Sequence, residues 1–407
     1  KDSNILFKKS DKNLGLCCIP RSWYEQQALL HLTDVQTYIK IHTIPTIHTV
    51  FYSLHTLLHN THLNKKLYNF LFKIEIDAGS ASLRTSIPLG KFYLLPKLHK
   101  TSISTRPIVS SIDTCTYNAS KYIDFVLRPV MLFLPNLLHS STDLVKHLHL
   151  TTFPSDCYMF TADVTNLYPS IDIEDGLALI RDAINLYNNN CTVDMSIDVN
   201  LTVNICSWVL KNNYIKFGDT AWLQLRGTAM GTPLAVVFAN IYLAMLENKM
   251  FKLYYLIYPK TSTYTSIFLY LRYIDDILCV TESPVHAAFL LDLLNNMHKN
   301  LQFTHVGSHT SVDFLDITVF KGPSFIQNNL FDTVPYQKPM NKYLYIPIFS
   351  HHCKSVFKGC IQSKIQRYTR NSTDPSRVNL MCKLLQERLL ARGYPLDYLN
   401  SVMNVSY

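Results

Sequence analysis

Two adjacent carboxylates, in Tyr273-Ile274-Asp275-Asp276, lie between the apolar runs 267–271 and 277–280. β-prone runs on either side of a short polar break read as a tight hairpin, and burying unpaired carboxylates at its tip is costly. A divalent cation offsets that cost. Hard oxygen ligands suit Mg²⁺, which keeps several waters and also binds substrate phosphates, so the pair points to phosphoryl transfer. Taken alone, an Asp-Asp pair is as well explained by a solvated turn. A second acid in a matching context changes the balance: the strand-like run 157–164 ends at Asp163 and is followed by the turn-like 165–170. Neighbouring strands would bring Asp163 beside Asp275, as two metal ions about 3.5–4 Å apart require.

Between the acidic segments lies Gln224-Leu225-Arg226-Gly227-Thr228-Ala229-Met230-Gly231-Thr232-Pro233, then an apolar run to residue 246. The chain has only 11 glycines, so two within five residues mark a place where backbone bends or approaches something closely. Pro233 suits the first turn of a helix, and Leu234, Phe238, Ile241 and Met245 recur at helical spacing, predicting one face on a core. A plain loop-to-helix connection accounts for the segment equally well.

The remaining periodicities predict a helical stretch over 48–72, strands at 90–95 and 106–109 joined by a basic loop with Lys97, Lys100 and Arg106, and a helix over 173–189 capped by Asp172. A helix over 199–211, a hairpin over 214–223, and a helix from Ser283-Pro284 to 298 with Ala288, Leu291 and Leu294 inward follow. Strands near 303 and over 312–320 complete an α+β pattern.

At 407 residues, with 48% hydrophobic and 16% charged, the chain can bury a large core in two or three subdomains. Its net charge of +9 favours a polyanionic partner with salt-dependent affinity, although a basic surface alone requires none. Ten cysteines without a CxxC pair argue against a zinc ribbon or a disulfide framework and for an intracellular protein. His351, His352, Cys353 and Cys360 match no standard zinc spacing. No apolar run approaches the roughly 20 residues of a bilayer span, and no secretory leader opens the sequence, so a soluble protein without membrane partners is expected.

The order Asp163, then Gly227-Thr228-Ala229-Met230-Gly231-Thr232-Pro233, then Tyr273-Ile274-Asp275-Asp276 resembles palm motifs A, B and C of reverse transcriptases. The wording is similar to that of Penelope-like retroelements, relatives of telomerase. Asp11-Lys12-Asn13-Leu14-Gly15, Leu95-Pro96-Lys97-Leu98-His99-Lys100, Arg106-Pro107-Ile108-Val109-Ser110-Ser111, Phe314-Leu315-Asp316, Tyr336-Gln337-Lys338-Pro339 and Ser350-His351-His352 extend the likeness over nearly the whole chain.

The resemblance implies an α+β right-hand polymerase with an antiparallel palm sheet backed by helices. It assigns 1–154 to an N-terminal region and fingers, 155–335 to a palm with finger-side helices at about 173–213, and 336–407 to a thumb. It implies an RNA-directed DNA polymerase taking an RNA template, a DNA primer or target DNA and dNTPs, acting inside the cell, in the nucleus. Asp163, Asp275, Asp276 and the carbonyl of Val164 would hold two Mg²⁺ ions, with Mn²⁺ able to substitute. Lys100 and Arg106 would contact phosphate, Arg by its planar fork. Tyr168 would lie under the sugar, leaving no room for a 2′-hydroxyl, unless it is simply a core tyrosine.

Met230 and Gly231 stand where many reverse transcriptases have Gln-Gly. Methionine cannot donate the glutamine's hydrogen bond, and Gln224 is a candidate substitute. Tyr273, Phe314 and Leu315 would meet the primer end. In the basic C-terminal segment Lys358 and Arg367 would track the template–primer backbone, a solvated basic face being the plainer account. A telomerase-like specialised enzyme and a catalytically idle nucleic-acid-binding descendant of a retroelement are the competing readings.

Overall fold

The computed structural model describes residues 4–403 apart from 60, 62, 74–84, 99–102, 262–263 and 340. Along the chain its strands are β1 Ile5–Lys9, β2 Leu16–Pro20, β3 Tyr38–Ile41, β4 Gly90–Lys97, β5 Ser104–Ser110, β6 Tyr158–Val164, β7 Tyr214–Phe217, β8 Thr220–Gln224, β9 Ile267–Tyr273, β10 Asp276–Thr281, β11 Phe303–Ser308, β12 Ser311–Phe314, β13 Ile317–Phe320 and β14 Asp332–Pro335. The central sheet is antiparallel, in the order β11-β6-β10-β9.

β10 is an unbroken apolar run because both of its faces are covered. Ile277 and Cys279 enter the main core with the helices Pro233–Ile257 and Pro284–Met297. Leu278 and Val280 enter a second core with Met159, Phe314, Ile317 and Phe331. All four are fully buried, and each burial contributes roughly 1.5–3 kcal/mol. Alternation places Asp163 and Asp276 on the same face as Met159, Leu278 and Val280. The second core stops short of the acids, leaving them at its rim.

The Pro233–Ile257 helix departs from the one-face expectation. Val237, Ala239, Tyr242, Leu243 and Ala244 are buried as well as Leu234, Phe238 and Ile241. It is also long and apolar enough to cross a membrane by length and composition, contrary to the expectation that no run comes close, but 72% of its most apolar window is buried within the protein. Apolarity on all sides marks a central core helix here. The helix Ile173–Asn188, capped by Asp172, packs against it so closely at Gly176 that an added Cβ would enter the Phe238 ring.

A five-stranded sheet runs in the order β3-β8-β7-β4-β5, with β4 and β7 parallel. It therefore draws strands from both sides of residue 154. The β1–β2 hairpin docks on it through Cys17 and Ile19, against Phe92 and Leu94. The C-terminal helices Lys354–Arg370, Pro375–Leu390 and Leu396–Met403 share a core of their own.

Other differences are local. The 48–72 stretch is two helices, Ile47–Leu58 and Lys65–Leu71, because the Asn64 side chain caps a new start by accepting from Leu67 N. Ala287, not Ala288, faces inward with Leu291 and Leu294. Residues 312–320 form the β12–β13 hairpin, turned at Leu315 with φ 57°. Lys100 lies outside the described residues.

Candidate active site

β6 and β10 are antiparallel neighbours in a register that sets Asp163 directly across from Asp276. The two-residue turn Ile274-Asp275 adds the third acid. Carboxylate oxygens of Asp163, Asp275 and Asp276 lie within 4.8 Å of one another. Partial burial, then the charges of Asp275 and Asp163, push the Asp276 carboxyl up to about 6, against the opposing pull of Lys338 and Lys12. Hard oxygens whose like charges raise the cost of ionising one another form a donor set that suits a divalent cation.

The turn is strained. Ile274 has φ 58°, a left-handed conformation rarely adopted by a β-branched residue, at the loop position where glycine is favoured. Arg272 holds it from beneath. This side chain is 1% exposed and donates from Nη1 to the Ile274 carbonyl and to Asn240 Oδ1, both at 2.8 Å. Its Nη2 donates to the Asn240 carbonyl at 3.0 Å and its Nε to Glu247 Oε1 at 2.6 Å. Tyr270 Oη also donates to Glu247 Oε1, at 2.8 Å. Sequence reasoning missed Arg272, Glu247 and Asn240. The available signal was an arginine inside an apolar strand and a glutamate inside an apolar helix, since buried charges require partners.

Tyr168 lies in the short helix Leu167–Ser170. Burial, then the charge of Asp275, push its phenol up to about 12, opposed by Arg106; the ring thus sits within the electrostatic reach of both. The glycine loop is fixed at two points. Gly227, at φ 74°, approaches the Tyr168 carbonyl so closely that a Cβ would collide with it, and Thr228 N donates to that carbonyl at 2.9 Å. Gly231, at φ 114°, would place a Cβ 2.5 Å from the Val109 carbonyl, while Val109 N donates to the Met230 carbonyl at 2.8 Å. Both glycines are therefore required by close approach as well as by φ. Arg106, on β5, has Nη1 3.6 Å from Asp11 Oδ1. Val164 ends β6 beside Asp163 with its side chain buried, so only its backbone can serve a cation.

Two expected contact residues are buried inside the protein. Gln224 is 2% exposed and its amide is spent inside the protein, accepting from Asn213 Nδ2 at 2.7 Å and donating to the Arg226 carbonyl at 2.8 Å. Phe314 is buried in the second core, because strand alternation turns it away from solvent. Lys358 is exposed on the Lys354–Arg370 helix but does not line the cleft below the acids. That cleft, about 1030 Å³, is bordered by Tyr273, Asp276, Leu315, Lys364, Arg367 and Arg370. On the Lys354–Arg370 helix, Lys364, Arg367 and Arg370 border it at every third position. Arg367 is also ion-paired, its Nε donating to Asp316 Oδ2 at 2.6 Å, which Asn371 joins at 3.0 Å.

An animal helix-turn-helix domain family model matches residues 344–404, the C-terminal helices. No curated protein matches the chain. Among solved structures, telomerase from Candida albicans in complex with a TWJ fragment of telomeric RNA superposes with TM-score 0.60 at 10% identity, over 95% of this chain and 63% of that one. Apo telomerase from Candida tropicalis gives 0.56 at 12% identity, over 99% and 66%. The chain spans less than two thirds of these telomerase chains. At such identity the likeness is one of fold, and the expected α+β right-hand polymerase architecture is borne out.

Replacing Arg272 by Met should destabilise the protein by about 3–5 kcal/mol in urea unfolding, because Glu247 is left buried and unpaired; adding Glu247→Gln should recover part of the loss. For Asp276 the folded carboxyl holds its proton to higher pH than an unfolded one, so its ionisation costs stability as pH rises toward 6 and beyond. In chelator, Asp276→Asn should melt several degrees above the parent at pH 8, and the gap should shrink as pH falls toward 4.

Proposed function

We propose that the chain is an RNA-directed DNA polymerase of the Penelope-like retroelement type, extending a DNA primer on an RNA template. The observation that carries this reading is the strand register that brings Asp163 to Asp276 and Asp275 at the head of a basic cleft. The right-hand fold and the reverse-transcriptase wording of the surrounding segments support it. In this reading the central sheet is the palm, the five-stranded sheet belongs to the fingers and the C-terminal helices are the thumb. The linear divisions at 154 and 335 are then approximate, since the fingers sheet receives β7 and β8 from the middle of the chain.

Asp163, Asp275, Asp276 and the Val164 carbonyl would hold two Mg²⁺ ions, or Mn²⁺ in their place. Bound there, such ions supply a lowered pKa for the primer 3′-hydroxyl and charge stabilisation for the leaving pyrophosphate. The chain's own residues position the reactants. Arg106 offers a planar fork to the triphosphate, and its Asp11 partner fixes the direction from which it reaches. Tyr168, clamped by Gly227 and Thr228, presents its ring to the sugar and excludes a 2′-hydroxyl. Met230 and Gly231 close the pocket beside β5. Lys364, Arg367 and Arg370 face the duplex backbone across the cleft, with Tyr273 and Leu315 at the primer end.

The telomerase-like alternative shares the fold of the neighbours named above. It predicts extension only of primers matching one dedicated RNA, whereas the retroelement reading predicts extension on an arbitrary heteropolymeric RNA.

Asp275→Asn should lower metal-dependent primer extension by at least about a thousandfold, of the order seen when an electrostatic centre is lost, while template–primer affinity in a filter-binding assay stays within about twofold. Tyr168→Ala should raise ribonucleotide incorporation relative to deoxynucleotide in single-nucleotide extension; unchanged sugar selectivity would refute the role given to its ring.

A further inference from the structure

The turn between β1 and β2 carries a lysine into the cleft, and its construction is specific. Ser10, buried, closes the turn by donating from both its amide and its hydroxyl to the Gly15 carbonyl, at 2.9 and 2.7 Å. Leu14 is buried beneath it. Asp11 is 6% exposed and faces Arg106, while its Oδ2 has no hydrogen-bond partner among the described residues. Between them Lys12 takes φ 58° and ψ 37°, a left-handed conformation that L-residues with a Cβ disfavour. That conformation sends Lys12 to the border of the same cleft as Asp276. Lys338, in the segment after β14, borders the cleft too.

Charge bookkeeping points to an anion between them. Three carboxylates alone would be served by neighbouring lysines. Once divalent cations balance those carboxylates, however, the ammonium groups of Lys12 and Lys338 on the cleft border favour an incoming anion. We propose that Lys12 and Lys338 form a phosphate-binding pair on the border of the cleft that Asp276 also lines, one of them delivered by the N-terminal hairpin. The inference rests on the polymerase reading. The phosphate belongs either to the triphosphate of the incoming nucleotide or to the last phosphodiester of the primer. Asp11, which couples the hairpin to Arg106, is a positioning residue for both cations.

The test uses the full chain with a dideoxy-terminated DNA primer on an RNA template, measuring template–primer affinity and the dNTP dependence of ternary-complex formation without turnover. If the triphosphate is the ligand, Lys12→Ala and Lys338→Ala should each weaken dNTP binding about tenfold, as expected for loss of one charge-assisted hydrogen bond, with primer affinity unchanged. If the primer phosphodiester is the ligand, primer affinity should fall and the salt slope should decrease by about one, with dNTP binding unchanged. Lys12→Arg should restore most of either loss. Lys12→Gly relieves the left-handed backbone and should melt above the parent, yet bind phosphate as poorly as Lys12→Ala; a merely structural lysine would give parental binding in that variant. Parental dNTP affinity, primer affinity and salt slope in both alanine variants would overturn the pair while leaving the polymerase reading intact. A parent that forms no ternary complex would overturn both.

Discussion

A buried guanidinium supports the acidic turn. Arg272 spends its donors on one carboxylate, one side-chain amide and two backbone carbonyls, one of them that of Ile274. Two costs converge at this place, the left-handed backbone of a β-branched residue and the mutual repulsion of three carboxylates. Neither persists unless the surroundings over-determine the conformation. The hydrogen bonds of Arg272 supply direction, and the burial of β10 on both faces supplies most of the free energy. The result is a set of oxygens already gathered before any ligand arrives, which is what electrostatic preorganisation requires.

The glycine loop links the two sheets. Gly227 lies against the turn that carries Tyr168, and Gly231 against the strand that carries Arg106. Arg226 adds a third tie, donating to the Pro169 carbonyl at 3.1 Å and to the Thr37 hydroxyl, also at 3.1 Å. The Tyr168 turn and the Arg106 strand are thus tied together through a segment that carries no acid of its own.

Legibility from sequence followed the range of the interactions. The acidic hairpin, the Asp172 cap and the Gly218 hairpin were readable because each is decided within a few residues. Gln224 and Phe314 were misplaced because the direction of a side chain depends on which neighbour covers its strand or loop. Lys364, Arg367 and Arg370 belong to a run of cations visible in the sequence, and which of them border the cleft depends on how their helix packs through Phe357, Ile361, Ile365 and Tyr368. The Arg272–Glu247 pair joins residues on separate elements, and the sequence alone identified each only as a charge out of place. The Pro233–Ile257 helix had a helical period, but its apolarity on every side concealed how many elements surround it.

The interleaved five-stranded sheet has a consequence for biosynthesis. β3 and the β4–β5 hairpin are not neighbours; β8 and β7 join them, and β7 begins at Tyr214. As the polypeptide leaves the ribosome, the free edge of β4 stays open until this distant hairpin has emerged. Such an edge is a template for pairing with another nascent chain. A chain that lacked β7 and β8 would leave that edge of β4 without its partner.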